Sequence, residues 1–327
     1  MECFLIIIVN MKKYLLLFIL SLSFQLLIAQ DYNLLDDKVN QYPKQFHSIE
    51  SLAKRISSDF TTDIDKTRAL FYWLSNNITY DNDDANDGKG TYKRIKLDKN
   101  YKTKLTEQQI KYANRCLRKQ MAVCEGYSQI MKHTLDILDI ECEVISGYAK
   151  KNAREIGRVR NTSNHAWNAV KLNNEWQLID ATWSAGEYNS QAISTYFLIQ
   201  PEQLILSHLP KDSKWQLLDK PITKSKFFFR PVIFYTYYTS GLKLNKNQIG
   251  LLKVKTGEKI KLVFSKINET ISYRYEFKNQ PYTSPLKFKK EKDNYAVEIA
   301  FNETRNSELT IYSNNTGVLE FKILVAK

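Results

Sequence analysis

The chain is poor in the residues that mark several protein classes. Its 327 residues include only 4 cysteines, 10 glycines, 7 prolines and 4 histidines. It has no Pro-rich or Ser-rich tract and no short-period repeat, so we expect a chain that is globular nearly throughout. Neither a CxxC nor an HxxxH motif occurs. Because zinc needs three or four ligands, we predict no metal site, and no motif indicates a cofactor.

What the chain has in quantity is apolar and basic side chains. It is 43% hydrophobic and 13% aromatic, and its length is typical of two domains. The net charge is +13, but the lysines are spread along the chain and no nucleic-acid motif occurs. We therefore expect solvated basic faces and no nucleic-acid partner. A basic surface outside the cytoplasm could also meet anionic cell-surface polymers or acidic proteins.

The first 29 residues have the layout of a secretory signal peptide. Lys12 and Lys13 precede an apolar stretch from Tyr14 to Leu22, and cleavage is expected after Ala29. This predicts a secreted protein or one of the periplasm or cell envelope. An uncleaved segment would instead anchor the chain in a membrane.

Export would leave an odd number of cysteines in the mature chain. Cys116, Cys124 and Cys142 remain. In an oxidising compartment at least one thiol must then stay unpaired or bond another chain.

Cys124 is predicted to lie in the first turn of a helix. Cys124, Tyr127, Met131, Leu135 and Leu138 recur at helical spacing and share one face. The partial positive charge at a helix N-terminus lowers the pKa of a nearby thiol, and the thiolate is the nucleophilic form. On its own, however, a helical cysteine is as readily a small buried hydrophobe.

A hairpin is predicted to bring a histidine and a carboxylate together. With a two-residue turn at Asn173–Asn174, His165 faces Thr182 and Trp167 faces Asp180. Because strand side chains alternate, His165 and Asp180 then share a face as diagonal neighbours. This is the pair that a cysteine nucleophile needs: a base, and an acid that orients it. The alternative interpretation is a structural His–Asp pair.

The sequence pattern of the chain changes near residue 220. Seven short β-like runs follow Lys226, beginning with "FFFRPVIFYTYY" and ending with "VLEFKILVA". About seven strands in roughly 100 residues favour an immunoglobulin-like sandwich. The predicted organisation is a signal peptide over 1–29, a catalytic domain over 30–220 and a β-sandwich accessory domain over 221–327.

Three ordered motifs carry a family resemblance. "MAVCEGYSQIMKHTLDILDIECEVISGYAK", "NHAWNAVKLNNEWQLIDATW" and the earlier "LFYWLSNNITYD" resemble the transglutaminase-like superfamily, in its kyphoscoliosis-peptidase branch, as a secreted bacterial-style member. The resemblance covers about residues 60–220. It implies an α+β, papain-like core in which a Cys helix packs on an antiparallel sheet, with Cys124 as nucleophile, His165 as base and Asp180 as the residue that orients the base.

For the oxyanion hole the sequence offers Gln120, although its spacing from Cys124 differs from that of papain-like enzymes, and the Cys124 backbone N–H. Ala122 stands where the family commonly has glycine. Tyr127, Tyr148, Trp167 and Trp183 are the aromatic residues expected to line a substrate site.

The resulting hypothesis is a secreted cysteine peptidase or amidase that acts through an acyl-enzyme on a protein or peptide substrate, in association with the cell envelope. A protein-crosslinking transglutaminase is the enzymatic alternative, since the same three residues serve both reactions. A non-catalytic binding or scaffold protein of the cell surface is the other alternative, because fold does not imply activity. The sequence leaves the oligomeric state open.

Overall fold

The computed structural model describes residues 32–83, 99–185 and 193–326, which fall into two compact units. The first unit ends at Tyr42, and its described part is helix α1 (Asn33–Asn40). The second unit begins at Pro43. The predicted signal peptide lies outside the described residues. Within the described ranges, no helix combines the length and apolarity that a membrane span requires.

The second unit opens with what we call the α+β region, residues 43–220. Its helices are α2 (Ile49–Asp59), α3 (Asp63–Asn77), α4 (Tyr101–Lys119), α5 (Cys124–Ile137), α6 (Ala181–Ser184) and α7 (Pro201–Leu204). Its strands are β1 (Thr79–Tyr80), β2 (Met121–Ala122), β3 (Cys142–Ala149), β4 (His165–Leu172), β5 (Glu175–Ile179) and β6 (His208–Pro210). Strands β5, β4, β3 and β6 form an antiparallel sheet in that order, and β1 pairs with β2 in parallel.

Local sequence signals explain where several of these elements begin and turn. The Thr62 hydroxyl accepts the N–H of Asp65 at 3.1 Å and caps α3. The β4–β5 turn has positive φ at both central residues, 50° at Asn173 and 64° at Asn174, which a two-residue type I′ hairpin requires. Asn168 therefore lies opposite Ile179, in the predicted register. The ladder ends there, however, because Asp180 caps helix α6, so the predicted pairings of His165 with Thr182 and of Trp167 with Asp180 were wrong.

The Cys helix packs on this sheet, as the fold prediction requires. Helix α5 lies against β3 and β4 on one side and against α2 and α4 on the other. The Asn168 amide donates to the Ser128 carbonyl at 3.1 Å and ties the sheet to the helix. The sheet also needs a glycine at one point, because a Cβ at Gly147 would collide with the Trp167 indole and the Leu209 carbonyl. The α+β, papain-like core is confirmed.

A connector (residues 221–231) holding helix α8 (Lys224–Phe228) leads to the β region, residues 232–325. The strands of the β region are β7 (Val232–Ile233), β8 (Lys243–Leu244), β9 (Leu251–Val254), β10 (Lys259–Lys266), β11 (Tyr273–Phe277), β12 (Ser284–Pro285), β13 (Lys289–Glu291), β14 (Asn294–Ala300), β15 (Ser307–Ser313) and β16 (Thr316–Val325). The domain boundary near residue 220 stays a prediction and serves here only to name these regions.

The β region is the immunoglobulin-like sandwich that the sequence predicted. One sheet has the order β13-β14-β10-β8 and the other β12-β11-β15-β16-β7, with β9 added in parallel to β16. Alternate residues of β10 and β15 are buried, as expected for strands with one face on a core. Phe264, Phe277 and Phe321 lie in the apolar cluster between the sheets.

The prediction of a strand for the first of the seven β-like runs was mostly wrong. In "FFFRPVIFYTYY", Phe227 and Phe228 end helix α8, only Val232 and Ile233 are strand, and Tyr235–Tyr238 form a short 3-10 helix. The reason is that a short continuous apolar run is buried equally well as helix or strand, so periodicity cannot separate the two. Here the Thr223 hydroxyl accepts the N–H of Lys226 at 3.2 Å and starts a helix.

Candidate active site

Cys124 is the first residue of helix α5, as predicted, and is half-buried. Burial opposes ionisation of its thiol. The hydrogen bond and positive charge of His165 and the backbone N–H of Ala166 outweigh that effect, and the pKa of Cys124 lies below its usual value. No disulfide joins any two of Cys116, Cys124 and Cys142. The thiol of Cys124 faces the imidazole of His165.

His165 lies at the start of β4, between Cys124 and a carboxylate. Its Nε2 is 2.6 Å from Oδ2 of Asp180, which leaves Nδ1 for the hydrogen bond to Cys124. The imidazole packs against the rings of Trp167 and Trp183. Burial lowers the pKa of His165, but the charge and hydrogen bond of Asp180 dominate and raise it to about 9. At neutral pH this histidine is therefore an imidazolium.

Asp180 is completely buried and its carboxylate has three hydrogen-bond donors. It caps the short helix α6 by accepting the Trp183 N–H at Oδ1, 2.9 Å away. Oδ2 accepts from Nε2 of His165 and from Nε2 of His208, at 2.6 and 2.9 Å. Burial alone would raise the pKa of Asp180, but the two histidines hold it far below its usual range. The structure thus brings Cys124, His165 and Asp180 together in one line.

His208 is a residue of this cluster that sequence reasoning missed. It lies on β6, wholly buried, and its Nδ1 is 2.7 Å from the hydroxyl oxygen of Ser207. Burial lowers the pKa of His208 to about 4, so its imidazole is neutral at pH 7. The signal that could have found it is a lone histidine in the apolar run "LILSHLP", since a buried imidazole needs a polar partner.

The same cluster is the group of described residues that could hold a metal ion. The ligand atoms of His165, Asp180 and His208 lie within 4.8 Å of one another, and two imidazoles with a carboxylate suit zinc. The two Nε2 atoms, however, are already used in hydrogen bonds to Asp180. We therefore describe the group as a hydrogen-bonded network.

A cleft of about 850 Å³ gives access to the imidazole of His165. Residues of the α+β region and of the β region line it together. Its walls include Tyr80, Met121, Lys151, Trp183, Tyr196, Ile233, Phe234 and Tyr235. Met121 and Tyr235 are the most open of its large hydrophobic residues, 39% and 45% exposed. This lining suits an extended substrate with apolar side chains.

Of the four aromatic residues expected at the substrate site, Trp183 lines the cleft. Trp167 is buried behind His165. Tyr127 lies in the core, and its hydroxyl donates a hydrogen bond to the Ile78 carbonyl. Tyr148 packs against Phe228 instead of facing the cleft. The last three are each 1% exposed, so they support the site from within and offer no surface to a substrate.

Of the two groups that the sequence offered for the oxyanion hole, only one lies at the thiol. The side-chain amide of Gln120 donates to the Lys44 carbonyl at 2.6 Å, which turns it away from the thiol. The backbone N–H of Cys124 belongs to the first turn of α5, where N–H groups have no acceptor within the helix. A further hydroxyl that the sequence did not single out is that of Tyr80, a cleft residue whose pKa is raised to about 12 by burial and by the charge of Cys124.

A model of the transglutaminase-like superfamily matches residues 50–181, a range that contains Cys124, His165 and Asp180. Residues 50–181 form a transglutaminase-like domain. The Cys helix, strands β3, β4 and β5 of the sheet, and the residues His165 and Asp180 lie within this range, whereas β6 lies beyond it.

Proteins from several organisms match this chain at low sequence identity. Human kyphoscoliosis peptidase is 24% identical over 246 residues, which cover 73% of this chain and 34% of the human protein. Cytokinesis protein 3 of Schizosaccharomyces pombe is 26% identical over 211 residues, 62% of this chain and 21% of the yeast protein. The chain thus spans about a third or less of the length of these curated relatives. The crystal structure of a TGase aligns with a TM-score of 0.29 at 20% identity, over 57% of this chain and 41% of that one.

Proposed function

We propose that this protein is a cysteine-nucleophile hydrolase that cleaves amide bonds in peptides or proteins. The observation that carries the proposal is the contact of Cys124 with a His165 imidazolium that is itself paired to buried Asp180. A thiolate beside an imidazolium is the activated form of a cysteine nucleophile. The human and mouse relatives named kyphoscoliosis peptidase, 24% and 23% identical, support the same assignment.

The proposed reaction runs in two stages. The Sγ thiolate of Cys124 attacks the carbonyl carbon, the new oxyanion accepts the Cys124 N–H, and the hydroxyl of Tyr80 is a second donor within the cleft. When the C–N bond breaks, His165 gives its proton to the leaving amine. Water, deprotonated by His165, then attacks the thioester carbonyl, releases the acid and restores the thiolate and imidazolium.

Water is favoured over an amine as the second nucleophile. An amine acceptor competes with water only where the acyl-enzyme is shielded from solvent, whereas the described walls form a cleft that is open to solvent. Transamidation by the same acyl-enzyme is the alternative, and it differs only in what attacks the thioester.

The first test is the rate of Cys124 alkylation by iodoacetamide against pH, followed by peptide mass spectrometry. An ordinary thiol is mostly protonated at pH 6, so an ion-paired Cys124 should react faster by on the order of a hundredfold. His165→Ala should abolish the difference. Cys142 is the internal control, because it is buried and burial raises its pKa. A rate for Cys124 that rises only above about pH 8 would favour a non-catalytic binding protein.

The second test identifies the reaction. Incubation with p-nitrophenyl acetate should release a burst of one p-nitrophenol per Cys124 and leave an acetyl group on that residue in the intact mass. Added cadaverine then competes with water for the thioester. If acetylcadaverine is the main product, the enzyme is a transamidase and the hydrolase assignment is wrong. If acetate is the main product, the hydrolase assignment is supported.

We also propose that residues 1–29 direct export and that the substrate is a peptide or protein met outside the cytoplasm, including in the cell envelope. The support is the sequence of the segment, with its basic start and apolar stretch. The test is the N-terminus of the protein expressed from the full chain. A mature N-terminus at Gln30 in an exported fraction supports the proposal, and retention of Met1 or Met11 in the cytosol overturns it.

A further inference from the structure

The second histidine of the cluster has no part in the reaction steps above, yet it contacts the residue that orients the base. We propose that His208 is a positioning residue, a permanently neutral imidazole that fixes the Asp180 carboxylate, and that Ser207 and Tyr238 hold it in the required tautomer. This inference rests on the proposed function. It makes Tyr238, a residue of the β region, part of the support of the active site.

The division of labour between the two histidines follows from their shared acceptor. The Nε2 atoms of both histidines are hydrogen-bonded to one oxygen, Oδ2 of Asp180, and the centroids of the two rings lie 5.2 Å apart. The second anion of the site, the Cys124 thiolate, contacts His165, so an imidazolium at buried His208 would have only the carboxylate that His165 already uses, which is costly. His165 reaches the cleft and Cys124, whereas the side chain of His208 is wholly buried. The charge therefore resides on His165.

The tautomer of His208 is determined by its two neighbours. A carboxylate only accepts hydrogen bonds, so Nε2 of His208 must carry the proton that Asp180 accepts. Its Nδ1 is then an acceptor, and the Ser207 hydroxyl 2.7 Å away must be the donor. The other tautomer would place two lone pairs against each other at Asp180.

Ser207 is held in turn from the β region. Because the Ser207 proton goes to His208, the Tyr238 hydroxyl is the donor to the Ser207 oxygen 3.2 Å away, and it shares that proton with the Gln203 carbonyl at 3.1 Å. Tyr238 belongs to the 3-10 helix that follows β7. A continuous line of polar contacts thus runs from Tyr238 through Ser207, His208, Asp180 and His165 to Cys124.

The surroundings of the network are otherwise aromatic. Trp167, Trp183 and Tyr196 pack against His208 with centroid distances of 5.2, 4.3 and 5.7 Å. The titratable groups that face Asp180 and His208 from the packed elements are Tyr80, Cys124, Tyr127, His165, Tyr196 and Tyr238. Burial raises the pKa of each of these four tyrosines, so none of them ionises between pH 4 and 8.

The catalytic consequence concerns the acid side of the pH profile. An N–H donated to a carboxylate stabilises its ionised form. Without His208, Asp180 stays ionised near neutral pH, but its Oδ2 loses one of the two donors that fix it against Nε2 of His165. A less well-held imidazolium stabilises the Cys124 thiolate less, so the acid limb of Cys124 reactivity should move to higher pH.

The experiment measures Cys124 alkylation against pH in four variants. His208→Phe removes the donor and keeps a flat ring; it should move the acid limb up by about one pH unit and slow labelling on that limb about tenfold. His208→Gln keeps an N–H near the position of Nε2 and should recover most of the shift. Ser207→Ala should give a smaller shift, and Tyr238→Phe the smallest.

Folding is monitored separately by near-UV circular dichroism and by continued protection of Cys142. A purely structural role for His208 predicts a loss of thermal stability with the wild-type pH profile in both His208 variants, and that outcome overturns the inference. Equal shifts in the Phe and Gln variants also overturn it, because the donor would then not matter.

Imidazole ¹⁵N spectra of the full protein separate this inference from the proposed function. They should show His208 neutral and protonated at Nε2 at pH 7, and still so in Cys124→Ala. A charged His208, or one protonated at Nδ1, overturns the inference whatever Cys124 does. An ordinary thiol pKa at Cys124 together with the Nε2–H tautomer at His208 would instead overturn the proposed function and leave the hydrogen-bond assignment intact.

Discussion

The α+β region and the β region bury very different side chains. In the sandwich, Phe264, Phe277 and Phe321 belong to a cluster built from apolar residues. In the α+β region, the sheet and its neighbouring elements enclose His165, Asp180 and His208, each at most 7% exposed. Every one of these polar groups has a partner within 3 Å.

The difference teaches how each interior tolerates change. An apolar core loses contacts in proportion to the atoms removed, and its electrostatics hardly change. A polar cluster is stable only while its hydrogen bonds are complete, because an unpaired buried group costs its full desolvation. The apolar cluster of the β region should therefore respond to substitution through stability alone, and the polar cluster through pKa values and reactivity as well.

The largest expected effect on stability is in the sandwich. Phe264→Ala should lower the free energy of unfolding by about 3–5 kcal/mol, because a fully buried ring is removed from between two sheets. The loss is measured by urea unfolding. The pH profile of Cys124 alkylation should stay that of the wild type, and Phe264→Leu should lose less. A shifted profile in folded Phe264→Ala would break the separation between the two regions.

The next effect is a pH dependence of stability that isolates His165. The pKa of His165 is raised from 6.5 to about 9 in the folded protein. A raised pKa gives stabilisation that is complete below the unfolded value and is lost as the pH rises through the folded one. In Cys124→Ala, which keeps the contribution of Asp180 to this raised pKa and loses that of Cys124, the free energy of unfolding should therefore fall by at most about 3 kcal/mol as the pH rises above about 6.5.

The wild type is the control for that measurement. In the proposed ion pair, the proton that His165 holds in the folded state is matched by the one that Cys124 has released, so folded and unfolded chains should bind nearly equal numbers of protons between about pH 6.5 and 8.5. Its stability should stay nearly flat there and fall only above that range. A wild-type curve as steep as that of Cys124→Ala would mean that the thiolate and imidazolium do not form together.

The smallest effect concerns the connector between the two regions. Lys150 is buried, and its ammonium donates to the carbonyls of Phe227, Arg230 and Pro231 at 2.8, 2.6 and 3.2 Å. Lys150→Met removes a donor from all three carbonyls, of which that of Phe227 keeps the Arg230 N–H at 3.2 Å, and should cost about 1–3 kcal/mol, with faster hydrogen exchange in the connector. The exposed neighbour offers a matched control, since Lys151→Met should change stability little. Equal losses in both variants would show that the three carbonyls do not need the ammonium.

Much of the site could be predicted because its local geometry depends on nearby residues. The apolar spacing after Cys124 predicted the helix that starts there, and the Asn173–Asn174 turn fixed the register of β4 and β5. His165 and Asp180 meet just beyond the end of that ladder, where Asp180 caps helix α6. The first β-like run failed because its apolar residues carry no period, and a helix cap at Thr223 decided its start.

The sequence by itself determined the chemistry available at the site: a thiol at a helix start, and an imidazole and a carboxylate on one face of a hairpin whose members lie 15 residues apart. Only the tertiary structure decided how that chemistry is held. His208 meets Asp180 across 28 residues because β6 pairs with β3, and Tyr238 reaches Ser207 across 31 residues. Such contacts depend on strand order and on the packing of the two regions, which no local periodicity encodes.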